Sequence, residues 1–136
     1  MITKNYNVAK EDYGNAGKVS SQIKSILKQL EIPSDLMRRI AVACYEAEIN
    51  MVIHSDGGNI DLKIEEDKLE LVFDDKGPGI DDLEKAFIPG YSTANQKARE
   101  MGFGAGMGLI NIKRVSDDMD IRTSPKGTRL VISFKL

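Results

Sequence analysis

The chain reads as a two-layer α/β sandwich: a mixed, mostly antiparallel sheet with helices packed on one face. Three observations predict it. In some segments apolar residues recur at spacings of three and four, the mark of helices with one buried stripe. In others they alternate with polar residues, the mark of half-buried strands. In chain order these segments run β α α β β (α) α β β, which suits helices segregated to one side of a sheet. A length of 136 residues suits one domain with one core, spanning residues 1–136.

Residues 2–9 alternate and open the sheet. From Tyr13 to Leu30 the stripe Val19, Ile23, Ile26, Leu27 and Leu30 predicts the first helix. Ile32-Pro33-Ser34 breaks it, and Ser34 is a favourable N-cap for a second helix over 35–54. The inward stripe there is Leu36, Ile40, Cys44, Ala47 and Met51. Ser55-Asp56-Gly57-Gly58 turns the chain. Ile60, Leu62 and Ile64, then Leu69, Leu71 and Phe73, form an antiparallel hairpin around Glu66-Asp67. Asp81-Asp82 favours the start of a short helix. Residues 88–104 are rich in Gly, Ser, Thr, Asn and Lys and read as a long mobile loop, of a length usually kept for function. A third helix over 106–117 turns Leu109, Ile112 and Val115 inward. Strands at 119–123 and 130–134 close the sheet around the turn at Ser124-Pro125-Lys126-Gly127. Arg38-Arg39 and Lys113-Arg114 read as helix surface, and Asp117-Asp118 as loop.

Composition narrows the function. With 41% hydrophobic and 29% charged residues the chain is expected to be soluble and globular. A formal net charge of −2 argues against a dedicated nucleic-acid binder. No apolar run approaches the roughly 18–20 residues that cross a bilayer. The first residues lack the apolar core of a signal peptide, so a cytoplasmic location without a membrane partner is expected. Cys44 is the only cysteine, so no internal disulfide can form.

Three marks carry chemistry. Glu46, Asn50 and His54 are four apart on the second helix and share one face. Glu46 could accept a proton from a hydroxyl or water that attacks a phosphate. Asn50 offers a neutral oxygen to magnesium, which takes few protein ligands and leaves the rest to water and phosphate. His54, in the last turn, is explained equally well by the helix dipole. Asp75 ends a strand and enters Lys76-Gly77-Pro78-Gly79. An ionised carboxylate is acceptor-only, so it can take the amino group of adenine but not the carbonyl of guanine. Gly77 and Gly79 would let the backbone approach a flat ring. Finally Gly102, Gly104, Gly106 and Gly108 alternate into the third helix, a backbone suited to cradling phosphates at a helix N-terminus. The spacing is neither the dinucleotide fingerprint nor a P-loop.

Together these marks resemble the three boxes of the GHKL ATP-binding superfamily. Glu46-xxx-Asn50 is similar to its first box, Asp75-x-Gly77-x-Gly79 to its second, and Gly104-Ala105-Gly106-Met107-Gly108-Leu109 to its third. Gly127-Thr128 resembles a last small box. The compact length and the run at 106–115 look closest to the bacterial anti-sigma factors and switch serine kinases of partner-switching modules. The resemblance implies a Bergerat-type sandwich that binds Mg-ATP, with a lid over 87–104. It implies Glu46 as catalytic base, Asn50 as the Mg²⁺ ligand and Asp75 as adenine anchor. Gly77, Gly79, Gly104, Ala105, Gly106, Met107, Gly108, Leu109 and Thr128 would line the ATP. The implied activity is transfer of the γ-phosphoryl group to a serine of a STAS-domain antagonist. An alternative output is ATP-gated sequestration of a sigma factor. A second copy of the chain is a further partner to consider.

Overall fold

The computed structural model describes residues 1–80, 87–88 and 108–136. Strand β1 (Ile2–Ala9) leads through a short 3-10 turn (Tyr13–Asn15) to α1 (Lys18–Gln29) and α2 (Ser34–His54). Strands β2 (Gly57–Ile64) and β3 (Lys68–Asp75) follow, then α3 (Gly108–Val115), β4 (Asp118–Ser124) and β5 (Gly127–Lys135). The expected short helix after Asp81 and most of the expected lid, including Gly104, Ala105, Gly106 and Met107, lie outside the described residues.

The strands lie in the order β1-β2-β3-β5-β4. Every pairing among them is antiparallel, where the sequence leaves room for a parallel one. Register follows the alternation in the sequence. Leu62 faces Leu71, Leu71 faces Ile132, and Ile132 faces Met119. A second inner row runs Ile60, Phe73, Leu130 and Ile121. A one-residue slip would send both rows to solvent, so burial fixes the register. Against this face pack Val19, Ile23 and Leu27 of α1, Ile40, Cys44, Ala47 and Met51 of α2, and Ile112 of α3. Each fully buried large apolar side chain contributes about 1.5–3 kcal/mol by leaving water. Among the described residues no helix is long and apolar enough to cross a membrane.

Several boundary expectations change. The third helix ends at Val115, not Asp117, and Asp118 opens β4 where the sequence predicts a loop. The first helix is shorter than its apolar pattern. Gly17 sits at its N-cap with φ 91°, and Glu31 at φ 56° ends it, donating to Lys28 O while Ile32 donates to Leu27 O. At the start of α2 the capping position belongs to Pro33, not Ser34. Pro33 is extended and its carbonyl accepts the first helical bond, from the Met37 N–H at 2.9 Å, with no side-chain cap.

Candidate functional site

Helix α2 is the spine of the site. It lies between α1 and α3 and crosses the inner face of the sheet, so its sides meet three neighbours. Glu46, Asn50 and His54 are all half-buried, as residues flanking a core stripe should be. Asn50 lies about 6 Å back from the helix end at His54, and Glu46 about 6 Å further back.

Asn50 meets the start of α3. A Cβ added at Gly108 would stand 3.0 Å from Asn50 Nδ2 and 3.1 Å from its Oδ1. A side chain there would press on that amide, and glycine leaves it room. The first mark and the end of the third, separated by almost sixty residues of sequence, are therefore in contact. Leu109 turns its side chain into the core, which leaves only its main chain for a ligand.

Arg39 ties down the other end of α3. Its Nε donates to Val115 O at 3.0 Å, satisfying a carbonyl that the helix end leaves over. Its Nη2 pairs with Asp117 at 2.9 Å, and the guanidinium stands 5.7 Å over the Phe134 ring. Asp117 also accepts the Lys135 N–H at 2.7 Å. That bond and Arg39 hold the Asp117 carboxyl below the usual carboxylate range. Sequence reading placed Arg39 on a helix surface and Asp117 in a loop. In the fold the two join α2, α3 and β5, a long-range pairing that local pattern does not encode.

Asp75 closes β3 and is half-buried. Its Oδ1 accepts the Thr128 N–H at 2.9 Å. Thr128 and Thr123 join hydroxyls at 2.9 Å, and the Ile80 N–H donates to Thr123 Oγ1 at 2.8 Å. Among the described residues Asp75 Oδ2 takes no hydrogen bond, so an acceptor stays available. Burial pushes the Asp75 carboxyl up to about 6; the Thr128 N–H opposes this, and Asp74 and Asp56 add to it. Asp74 faces the other way and pairs with Arg129 at 3.2 Å.

The glycines after Asp75 are required by packing within the protein. At Gly77 (φ 142°) a Cβ would stand 3.0 Å from Asp56 N and 3.2 Å from Ser55 Cα, just past the end of α2. At Gly79 (φ 74°) it would collide with the Ser124 carbonyl oxygen. The turn is thus wedged between the end of α2 and the β4–β5 connection, which fixes where Asp75 stands. Burial lowers the affinity of His54 for a proton.

One buried residue escaped the sequence reading. Glu48 is 2% exposed and accepts from Gly17 N (3.0 Å), Val19 N (3.3 Å), Ser20 N (2.9 Å) and Ser20 Oγ (2.7 Å). It caps the N-terminus of α1 from another helix, filling donors that Gly17 cannot satisfy with a side chain. The signal was present. Glu48 is four residues after Cys44 and three before Met51, on the apolar stripe, where a carboxylate needs a partner. Cys44 beside it receives Ser20 Oγ at 3.5 Å, and burial pushes its thiol up to about 12, so it is an inert core group.

The fold and this geometry can be set against known proteins. Residues 9–134 match the model of the histidine kinase-like ATPase domain. An anti-sigma F factor of Bacillus velezensis is 31% identical over 121 residues, covering 84% of this chain and 80% of the relative. An anti-sigma F factor of Oceanobacillus iheyensis is 26% identical, with the same 84% and 80% coverage. The serine/threonine-protein kinase RsbT of Bacillus subtilis is 27% identical over 112 residues, covering 79% and 78%. With nearly its whole length matched, an antiparallel five-stranded sheet under three helices, Asn50 against Gly108 and the Gly77 turn against the end of α2, the chain belongs to the histidine kinase-like ATPase family, in the branch of anti-sigma factors and switch serine kinases.

Proposed function

We propose that the chain is a Mg-ATP-dependent serine kinase of a cytoplasmic partner-switching module, acting on a serine of a STAS-domain protein. The observation that carries the reading is the convergence on α2: Asn50 against Gly108, and the Gly77 turn against the end of the same helix. Use of ATP follows from the family. The residues fit the nucleotide. Asp75 offers an acceptor in a partly dry setting, with Thr128 holding its other oxygen. The space that a Cβ at Gly108 would fill lies beside the Asn50 amide.

In this reading Asp75 takes the adenine amino group, with Gly77, Gly79 and Thr128 fixing its position. Gly104, Gly106 and Gly108, with the main chain of Ala105, Met107 and Leu109, hold the phosphates. Asn50 is the protein ligand for magnesium. Magnesium takes few protein ligands, so phosphate and water would supply the others. Magnesium, when bound, neutralises charge on the phosphate oxygens. Glu46 accepts the serine hydroxyl proton. The serine Oγ–P bond forms as the bond from the γ-phosphorus to the β,γ-bridging oxygen breaks, and ADP leaves.

The test is incubation of the purified protein with Mg-ATP and the STAS-domain protein of the same genome. Phosphoserine in that protein, lost in Glu46→Gln, is the expected result; its absence with the parent protein overturns the reading. The names of two of these relatives, anti-sigma F factors, favour a second output, ATP-gated capture of a sigma factor. Capture that survives Glu46→Gln would make sequestration the main activity.

A further inference from the structure

Alongside the base position the surface carries a groove with a chemistry of its own. A cavity of about 370 Å³ opens between α1 and the first half of α2. Its floor is apolar: Met37, Ala41, Val42 and the ring of Tyr45. Tyr45 is 42% exposed, a large aromatic left in water. Its ring lies over Gly17, where an added Cβ would stand 3.0 Å from Tyr45 Cε1. Lys24 and Arg38 form the rim, and exposed Lys28 continues the ridge of Lys24 one turn on. Among the described residues none of these three cations has an ion pair. Helix α1 carries no acidic residue at all, in a chain whose net charge is −2. Among the described residues Glu46 is the one carboxylate lining the groove, and it follows Tyr45 directly.

We infer that this groove docks an acidic segment of the protein that the kinase phosphorylates, in its unphosphorylated form, with apolar side chains on the Met37–Val42–Tyr45 floor and its carboxylates against Lys24, Lys28 and Arg38. The inference rests on the kinase reading and names the recognition element for the same site. Tyr and Arg are among the residue types enriched at binding hot spots, and Tyr45 and Arg38 supply both here. Repulsion would exclude a basic segment, so the rim sets both specificity and encounter rate. Because Glu46 lines the same groove, a segment seated there is brought up to the proton acceptor.

The test uses the double variant Lys24→Glu with Arg38→Glu, both exposed positions. Affinity for the unphosphorylated STAS-domain protein should fall about tenfold or more and lose most of its salt dependence. Mg-ATP affinity should stay within about twofold of the parent, since neither residue is among those proposed to hold the nucleotide. A benzophenone side chain placed at Tyr45 should cross-link to an acidic stretch of the partner. Partner affinity unchanged by the double variant overturns the inference, as does a parent protein that does not bind the STAS-domain protein. A variant that alters only self-association assigns the groove to a second copy and overturns it too. The kinase reading fails separately, on missing phosphoserine, because docking is read as affinity whether or not phosphate moves.

Discussion

The two ends of the proposed nucleotide site are built differently. At the Asp75 end the backbone is locked: Thr128, Thr123, Ile80 and Gly79 are bonded or wedged against one another, and Asp75 keeps one oxygen available. At the α2 end, Glu46 and Asn50 make no side-chain hydrogen bond among the described residues. Under the proposed function, rigidity falls where a base would be recognised and open valences where phosphate, metal and a partner would come and go. Selectivity needs a preorganised acceptor, while transfer needs groups that change partners during the reaction.

The largest expected effect falls at the open end. Glu46→Gln should lower the rate of phosphoserine formation by about 10²–10⁴-fold, the usual contribution of a positioned base. Its melting temperature should match the parent, since Glu46 supports no described bond. A rate within about threefold of the parent would take the base role from Glu46 and break the comparison.

Next comes the locked end. Gly79→Ala places a methyl into the Ser124 carbonyl at φ 74°. It should cost about 2–4 kcal/mol of stability in denaturant titration, through strain and displacement of the Asp75 turn. ATP affinity should drop with it. A variant as stable as the parent would mean that the turn gives easily and that this end is not locked.

Glu48 sharpens the contrast, because it lies two residues from Glu46 on the same helix and is fully bonded. Glu48→Gln keeps size and one acceptor but leaves α1 donors short. The expected loss is about 1–3 kcal/mol in unfolding, with the phosphoryl-transfer rate of the folded protein unchanged. A large rate loss at unchanged stability would reverse the assignments of these two carboxylates.

How much of this was legible in the sequence follows from range. The helix stripes and strand alternation are local, so Val19–Ile23–Leu27, Ile60–Leu62–Ile64 and Leu69–Leu71–Phe73 fall on the core as expected. The order and spacing of the motifs announce the family, because each needs its own backbone form. What stayed hidden is pairing across the chain: Arg39 with Val115 and Asp117, Glu48 with the start of α1, Gly77 with the end of α2. Gly77 and Gly79 were read as making way for a ring. The fold adds that a Cβ at either would also meet protein atoms, which a sequence cannot name before the fold does.

The smallest effect is one of pH and carries its own sign. Burial raises the folded-state Asp75 carboxyl from 3.8 to about 6, so between those values the folded protein holds more protons than the unfolded chain. This group's contribution to stability is therefore complete below 3.8 and is lost as pH rises toward 6. Asp75→Asn removes that cost and keeps an acceptor for the Thr128 N–H. With the group half in water and screened, the gain at neutral pH should be no more than ~1 kcal/mol, read as a small rise in melting temperature. ATP binding should move the opposite way. The amide can present its N–H₂ to the adenine amino group, so affinity falls in the variant; in the parent it should weaken as pH drops below about 6, because a protonated carboxyl accepts poorly. A variant that melts lower than the parent at neutral pH would mean that the ionised carboxylate stabilises the turn. The locked end would then owe its rigidity to charge, and not to the glycine packing.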